Sequence, residues 1–213
     1  MSAITDKLLT LINGKDQKWT ELGKQLIARW SSDENNANVI GADPFSGFRD
    51  FRYSTQAIVF DLVPGNYSVY LLTRDSGSMG LRNYYAYIKT ADIPVTKIVR
   101  AQHGNGNSFV VDAGLTCFMD MNTAHIFWDH IKSFYAQNPD KNFYTEALQP
   151  LFENNLRDVS TRLWINYLIP GTDRNIYLFQ SGLGDGAYTG YKLLGKGGKK
   201  CGLMIDFDVE ARL

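Results

Sequence analysis

The chain has 213 residues, with 22 basic and 22 acidic side chains and a formal net charge of zero. That balance argues against a nucleic-acid binder, which needs a cationic surplus to meet phosphates; the one basic run is the short Lys196–Lys200 cluster. The length suits one domain with a sizeable core, and the 12 Tyr, 12 Phe and 4 Trp suit strands.

From the N-terminus, Ile4, Leu8 and Leu11 predict a helix over Ala3–Ile12. The spacing of Trp19, Leu22, Leu26, Ile27 and Trp30 predicts a second helix over Trp19–Trp30, after Asn13-Gly14. The polar run Ser31–Asn38 has little to bury and reads as a linker. Residues 1–38 are therefore expected to form a helical extension, and 39–213 a β-rich domain. The opening MSAITDKLL lacks a basic n-region followed by an apolar run, and no apolar stretch nears spanning length, so a cytoplasmic chain without membrane association is expected. Cys117 and Cys201 sit in apolar surroundings and read as small hydrophobes, with their pairing left open.

Val39–Phe45 predicts a strand running into a turn at Asp43-Pro44. Ala57–Leu62 and Tyr67–Thr73, around Pro64-Gly-Asn66, predict a hairpin, followed by a mobile loop at Arg74–Gly80. Strands follow at Tyr84–Lys89, Ile93–Val99 and Ser108–Asp112, with a flexible turn at His103–Asn107. In Met121–Tyr135 the apolar side chains fall in one arc, which predicts an amphipathic helix packed on a sheet. A shorter helix at Tyr144–Asn154 and a strand at Arg162–Ile169 lead to a C-terminal meander. There Ile176–Gln180 turns through Ser181–Gly186 into a returning strand Ala187–Leu194, and the alternating strand Cys201–Val209 closes with one core face and one mostly polar face. Short strands with short connections favour antiparallel pairing. The expected fold is α+β, mainly antiparallel, with two packed sheets or one strongly curved sheet, a central helix and the N-terminal extension.

Asp43, Asp112, Asp120, Asp185 and Asp206 are the group able to carry chemistry, since paired carboxylates hold divalent cations or divide acid and base roles. Each also has a structural explanation. Asp120 directly precedes a helix and reads as its N-cap, Asp43 and Asp185 sit in turns, and Asp206 lies on the polar face of a strand. Gly182, Gly184 and Gly186 open a strand rather than a helix, so they predict a tight turn and not a phosphate loop. His125 and His130 are five apart on one helix and do not face a common ion. Neither a GxSxG elbow nor a P-loop occurs. Two segments combine polar groups with glycine: Asp112, Gly114 and Asp120 in one, and Gly184, Asp185, Gly186 and Tyr188 in the other. Together they form the candidate ligand or partner site.

The order Ala42-Asp-Pro44, Val63-Pro-Gly-Asn-Tyr-Ser-Val69, Val111-Asp-Ala-Gly-Leu-Thr-Cys-Phe-Met-Asp120, Ser181-Gly-Leu-Gly-Asp-Gly-Ala-Tyr188 and Ile205-Asp-Phe207 resembles the bacterial family catalogued as domain of unknown function 4241, over roughly Val39 to Phe207. The chain departs from the family pattern at Ala42, Ser68 and Leu183, where the family tends to have Cys, Pro and Trp. A cysteine-dependent role at the first motif is thereby removed. The resemblance implies no established reaction, and bacterial families of this size include immunity proteins of toxin systems. The expected function is non-catalytic binding of a protein partner such as a cognate toxin, with no cofactor. The alternative is a metal-dependent hydrolase whose acidic cleft would require the Asp112–Asp120 and Gly184–Tyr188 segments to converge.

Overall fold

The structure is a computed structural model and describes residues 3–14, 17–27, 37–42, 44–45, 57–101, 108–155 and 163–212. Its elements in chain order begin with α1 (Ala3–Asn13), β1 (Thr20–Ile27), β2 (Ala37–Ala42), β3 (Ala57–Leu62), β4 (Gly65–Asp75) and β5 (Leu81–Lys89). Next come β6 (Lys97–Arg100), β7 (Ser108–Val111), β8 (Leu115–Asp120), α2 (Met121–Gln137) and α3 (Gln149–Asn154). The chain ends with β9 (Trp164–Leu168), β10 (Asn175–Gln180), β11 (Gly186–Leu194), β12 (Lys200–Asp206) and the single turn α4 (Val209–Arg212). The strands form two antiparallel sheets. The first has the order β1-β4-β5-β12-β11-β6 with β7 also beside β11, and the second has β3-β2-β8-β10-β9. The class is α+β, as the alternation and the Met121 helix predict.

Four layers follow from how each element distributes its apolar side chains. Between the sheets, Val69, Leu71, Ile88 and Leu203 meet Ile58, Phe118 and Phe179 in one core. On the outer face of the second sheet, Cys117, Met119 and Leu178 meet Ala124, Phe127 and Ile131 of α2 and Phe152 of α3 in a second. The side chains of β8 are all buried, because odd positions face α2 and even positions face the first sheet. Asp120 caps α2 as predicted: its Oδ1 accepts from Thr123 N–H at 2.8 Å and its Oδ2 from the Thr123 hydroxyl at 2.7 Å. On the outer face of the first sheet, α1 lays Leu8 and Leu11 against a surface of tyrosines. The register sets Tyr70, Tyr87, Met204 and Tyr191 side by side across four strands.

Four expectations are corrected. The predicted helix Trp19–Trp30 is instead the strand β1, an edge of the first sheet, so the N-terminal residues are not a purely helical extension. A bulge at Gly23 (φ 139°) interrupts the alternation, so Leu22, Gln25 and Ile27 are buried at spacings that mimic a helix. The hydroxyl of Tyr177 occupies the space a side chain at Gly23 would need. Second, β3 and β4 do not form a hairpin: at Val63-Pro64 the chain leaves one sheet for the other, and the hairpin is β4 with β5. Third, the expected loop Arg74–Gly80 is the end of β4 and a tight turn, closed by Ser76 N–H donating to Gly80 O at 2.9 Å and Gly77 N–H to Asp75 Oδ1 at 2.9 Å. Fourth, β11 does not return beside β10; Ser181–Asp185 carries the chain from the second sheet to the first. The expected polar face of β12 also holds Met204, wholly buried because α1 covers that side. His103–Asn107 and Asp43 lie outside the described residues.

Two buried amides stitch the sheets together. The Gln25 side chain on β1 donates to Asn175 O and accepts from Tyr177 N–H at 3.1 Å, both on β10. Asn83 on β5 donates to Leu163 O at 3.2 Å and Gln180 O at 2.8 Å, while its Oδ1 accepts from the Thr73 hydroxyl at 3.0 Å. Truncating Gln25 would leave a β10 donor and acceptor buried without partners, at a cost of about 1–3 kcal/mol each. Gln25→Ala is expected to lower the unfolding free energy by about 2–4 kcal/mol, measured by urea denaturation.

Candidate functional site

The two segments predicted to form a site meet, but without Asp120. Gly186 pairs with Val111 in the β11/β7 ladder, so continuing the ladder by one residue sets Asp185 opposite Asp112. A Cβ built on Gly114 (φ 61°) would stand 3.9 Å from Asp185 Oδ1 and 3.9 Å from Gly184 Cα. Ser181 N–H donates to Gly114 O at 3.0 Å and locks the two turns together. Tyr188 is wholly buried, and its hydroxyl reaches the carbonyls of Ser181 at 3.0 Å and Gly184 at 2.5 Å, so it braces the turn from beneath. Asp112 and Asp185 lie exposed at the surface. Asp120 is at the far end of β8, about 17 Å away at the usual ~3.4 Å per residue, where it serves α2. The result is a rigid surface knuckle bearing two carboxylates. Among the described residues no group of three or more His, Cys, Asp or Glu is placed to hold a metal ion. His130 donates to or accepts from the Tyr167 hydroxyl at 2.8 Å, and burial pushes that phenol up to about 12, while His125 lies exposed.

A second feature lies at the free side of β9. Among the described residues this strand pairs with β10 alone. Leu168 is 60% exposed there and Leu151 of α3 is 43% exposed. A groove of about 330 Å³ runs between α3 and the strand, lined by Leu151, Asn154, Asn155, Trp164, Ile165 and Asn166. The Asn155 side chain donates to Trp164 O at 2.8 Å, which marks that carbonyl as pointing away from β10. By the alternation of antiparallel pairing, Asn166 and Leu168 present their backbone groups on the same side.

The third feature is a cleft of about 350 Å³ on the outer face of the first sheet, walled by α1 and α4. Tyr85, Tyr191 and Asp206 form its floor, with Arg100, Lys7 and Glu210 around it. Asp206 accepts from Asp208 N–H at 2.9 Å, a turn that holds Asp208 at φ 53°. Burial, with the charges of Asp208 and Glu210, pushes the Asp206 carboxyl up to about 6 from 3.8. Burial also raises Tyr85 and Tyr191, reinforced by Asp206. Glu210 differs: burial acts to raise it, but the bonds and charges of Lys7 and Arg74 hold it below its ordinary value. Sequence reading placed Asp206 among the acidic residues but not in the candidate site. The alternating Tyr85 and Tyr87 of β5 were the available signal, yet the cleft draws on six elements that no spacing connects.

A carboxyl raised in the folded state favours the protein while protonated. The stabilising effect is complete below pH 3.8 and is lost as pH rises through about 6. Asp206→Asn is therefore expected to raise stability at pH 8 by about 2–3 kcal/mol, and hardly at pH 4, as read from urea denaturation at the two pH values.

No helix among the described residues is long and apolar enough to cross a membrane. No curated protein and no solved structure matches the chain. A family model described as "Protein of unknown function (DUF4241)" matches residues 35–205, which takes in β2 through β11 and β12 as far as Ile205, but not α1, β1, Asp206 or the last turn. The chain belongs to the DUF4241 family.

Proposed function

We propose that this chain is a non-catalytic bacterial protein that binds a protein partner in the cytoplasm, in the manner of an immunity protein that occupies its cognate toxin. The observation that carries the reading is the side of β9 turned away from β10, which pairs with no further strand among the described residues and where Leu168 is 60% exposed. An edge strand with outward backbone groups and an adjoining groove suits an extended segment of a partner, which adds as a further strand while its alternate side chains enter the groove. The exposed leucines supply apolar area that association would remove from water. Cys117 and Cys201 are buried and form no disulfide with each other, which suits a reducing compartment.

A tagged full-length chain is expected to retain one host protein at near-equal stoichiometry, identified by mass spectrometry. Leu168→Asp, which leaves the buried face of β9 intact, is expected to weaken that retention at least about tenfold, as one hot-spot contact of about 1.4 kcal/mol or more would. An empty pull-down with the unaltered chain would defeat the proposal.

The meeting of the Asp112 and Asp185 turns favours one second reading, a metal-dependent hydrolase working from that knuckle. On the binding reading, calcium and magnesium leave the melting temperature unchanged in the native chain, Asp112→Asn and Asp185→Asn alike. A divalent-dependent rise in Tm that either variant abolishes would instead establish the hydrolase reading's metal site.

A further inference from the structure

We infer that the cleft between α1 and β12 binds an organic cation with N–H donors, a primary ammonium or a guanidinium, seated on the Asp206 carboxylate and the Tyr85 hydroxyl. Tyr85 is only 4% exposed and lines the cleft, and its hydroxyl makes no hydrogen bond among the described residues. Its oxygen opens onto the cleft, where it can accept from a ligand's N–H. Asp206 has a single hydrogen bond among the described residues, from Asp208 N–H to Oδ1, which leaves most of its accepting capacity unused. The floor thus offers a carboxylate and a phenol oxygen to the N–H groups that an ammonium or guanidinium carries.

The charges around the cleft select a cation over an anion. Lys7 and Arg74 are both engaged by Glu210, the latter at 2.6 Å, and Arg100 lines the cleft beside Tyr191. Lys7 offsets part of the negative charge at Asp206, but Asp208 and Glu210 outweigh it there. The tyrosine walls add aromatic faces suited to an organic cation. One carboxylate with two phenols is too small an oxygen set for calcium, which takes about six to eight ligands. The volume of about 350 Å³ falls in the lower part of the range for small-ligand pockets, about 300–1,000 Å³. The inference is independent of the β9 proposal, because the cleft belongs to the other sheet.

Isothermal titration of the full chain with n-butylammonium and ethylguanidinium tests it. Saturable one-site binding is expected at pH 8, weaker by about tenfold at pH 5 as Asp206 takes up a proton. Lys7, Arg74 and Arg100 also face Asp206, and the raised phenols of Tyr85 and Tyr191 stay protonated. Glu210, held low by its two basic partners, stays ionised, and Asp208 presents its backbone N–H at either pH. Tetramethylammonium, with no N–H, is expected to bind at least about tenfold more weakly. Asp206→Asn is expected to abolish binding and Tyr85→Phe to weaken it severalfold, each with an undiminished Tm at pH 8. Absence of saturable binding of both cations, or equal affinity in the unaltered chain and both variants, would overturn the inference. The peptide acetyl-Gly-Lys-Gly-amide distinguishes the source: tighter binding than n-butylammonium points to a partner's side chain, and weaker binding points to a free small molecule, either result upholding a cation site.

Discussion

Gln25 lies wholly inside the protein, and its amide is bonded to the backbone of a sheet to which it does not belong. Apolar packing between two sheets is non-directional and tolerates sliding. A buried amide tolerates none, because a shift of one residue would orphan its donor and its acceptor together. With Asn83 making the same kind of crossing near the far end of β10, the sheets are pinned at two points, at Asn175–Tyr177 and at Leu163–Gln180. Everything proposed to be functional depends on that registration. β9 hangs from β10, the Gly184–Asp185 turn leaves from the end of β10, and β5, which carries Tyr85 in the cleft floor, is the strand that Asn83 ties down.

The residues outside the family match are integral to this arrangement. Gln25 belongs to β1, which lies before residue 35, and so does α1, whose Asn13 side chain donates to Val95 O at 2.8 Å and accepts Val95 N–H at 3.1 Å as a strand would. The shared body of the family therefore does not include the amide at Gln25 or the helix that roofs the tyrosine face. Relatives that lack these segments need another way to satisfy the Tyr177 N–H and Asn175 carbonyl, and another cover for Met204. The cleft around Asp206 draws on residues outside the match, because Lys7 and Leu8 of α1 form one of its walls and Asp206 follows residue 205.

Local chemistry was legible in the sequence wherever one residue's neighbours decide its role. Asp120 announced a helix cap, the apolar arc of Met121–Tyr135 announced α2, and the Ser181–Gly186 glycines announced a turn needing positive φ at Gly182 and Gly184. What alternation does not encode is which sheet a strand joins. β3 and β4, or β10 and β11, read as hairpins because a two-residue period is the same whether the next strand lies beside its predecessor or across the core. β1 was lost for a different reason, since the bulge at Gly23 converts a strand's period into spacings that pass for a helix. The grouping expected from sequence was legible in its geometry only in part: the Asp112 and Asp185 turns do meet, whereas Asp120 was placed with them by proximity in sequence alone.

The surface knuckle and the cleft differ in what their carboxylates cost the fold. Asp112 and Asp185 stand in water, where charge is solvated, so their position is compatible with a structural or interfacial role and demands no ligand. Asp206 is half-buried beside a deeply buried phenol that has no hydrogen-bond partner among the described residues, with two further carboxylates nearby. Burying an uncompensated carboxylate works against folding, and packing alone gives no reason for it: a threonine or asparagine at that position would keep the turn bond from Asp208 N–H without the charge. A group that makes the protein less stable at neutral pH, in a cleft walled by residues from six elements, is the arrangement expected where charge is held ready for a ligand.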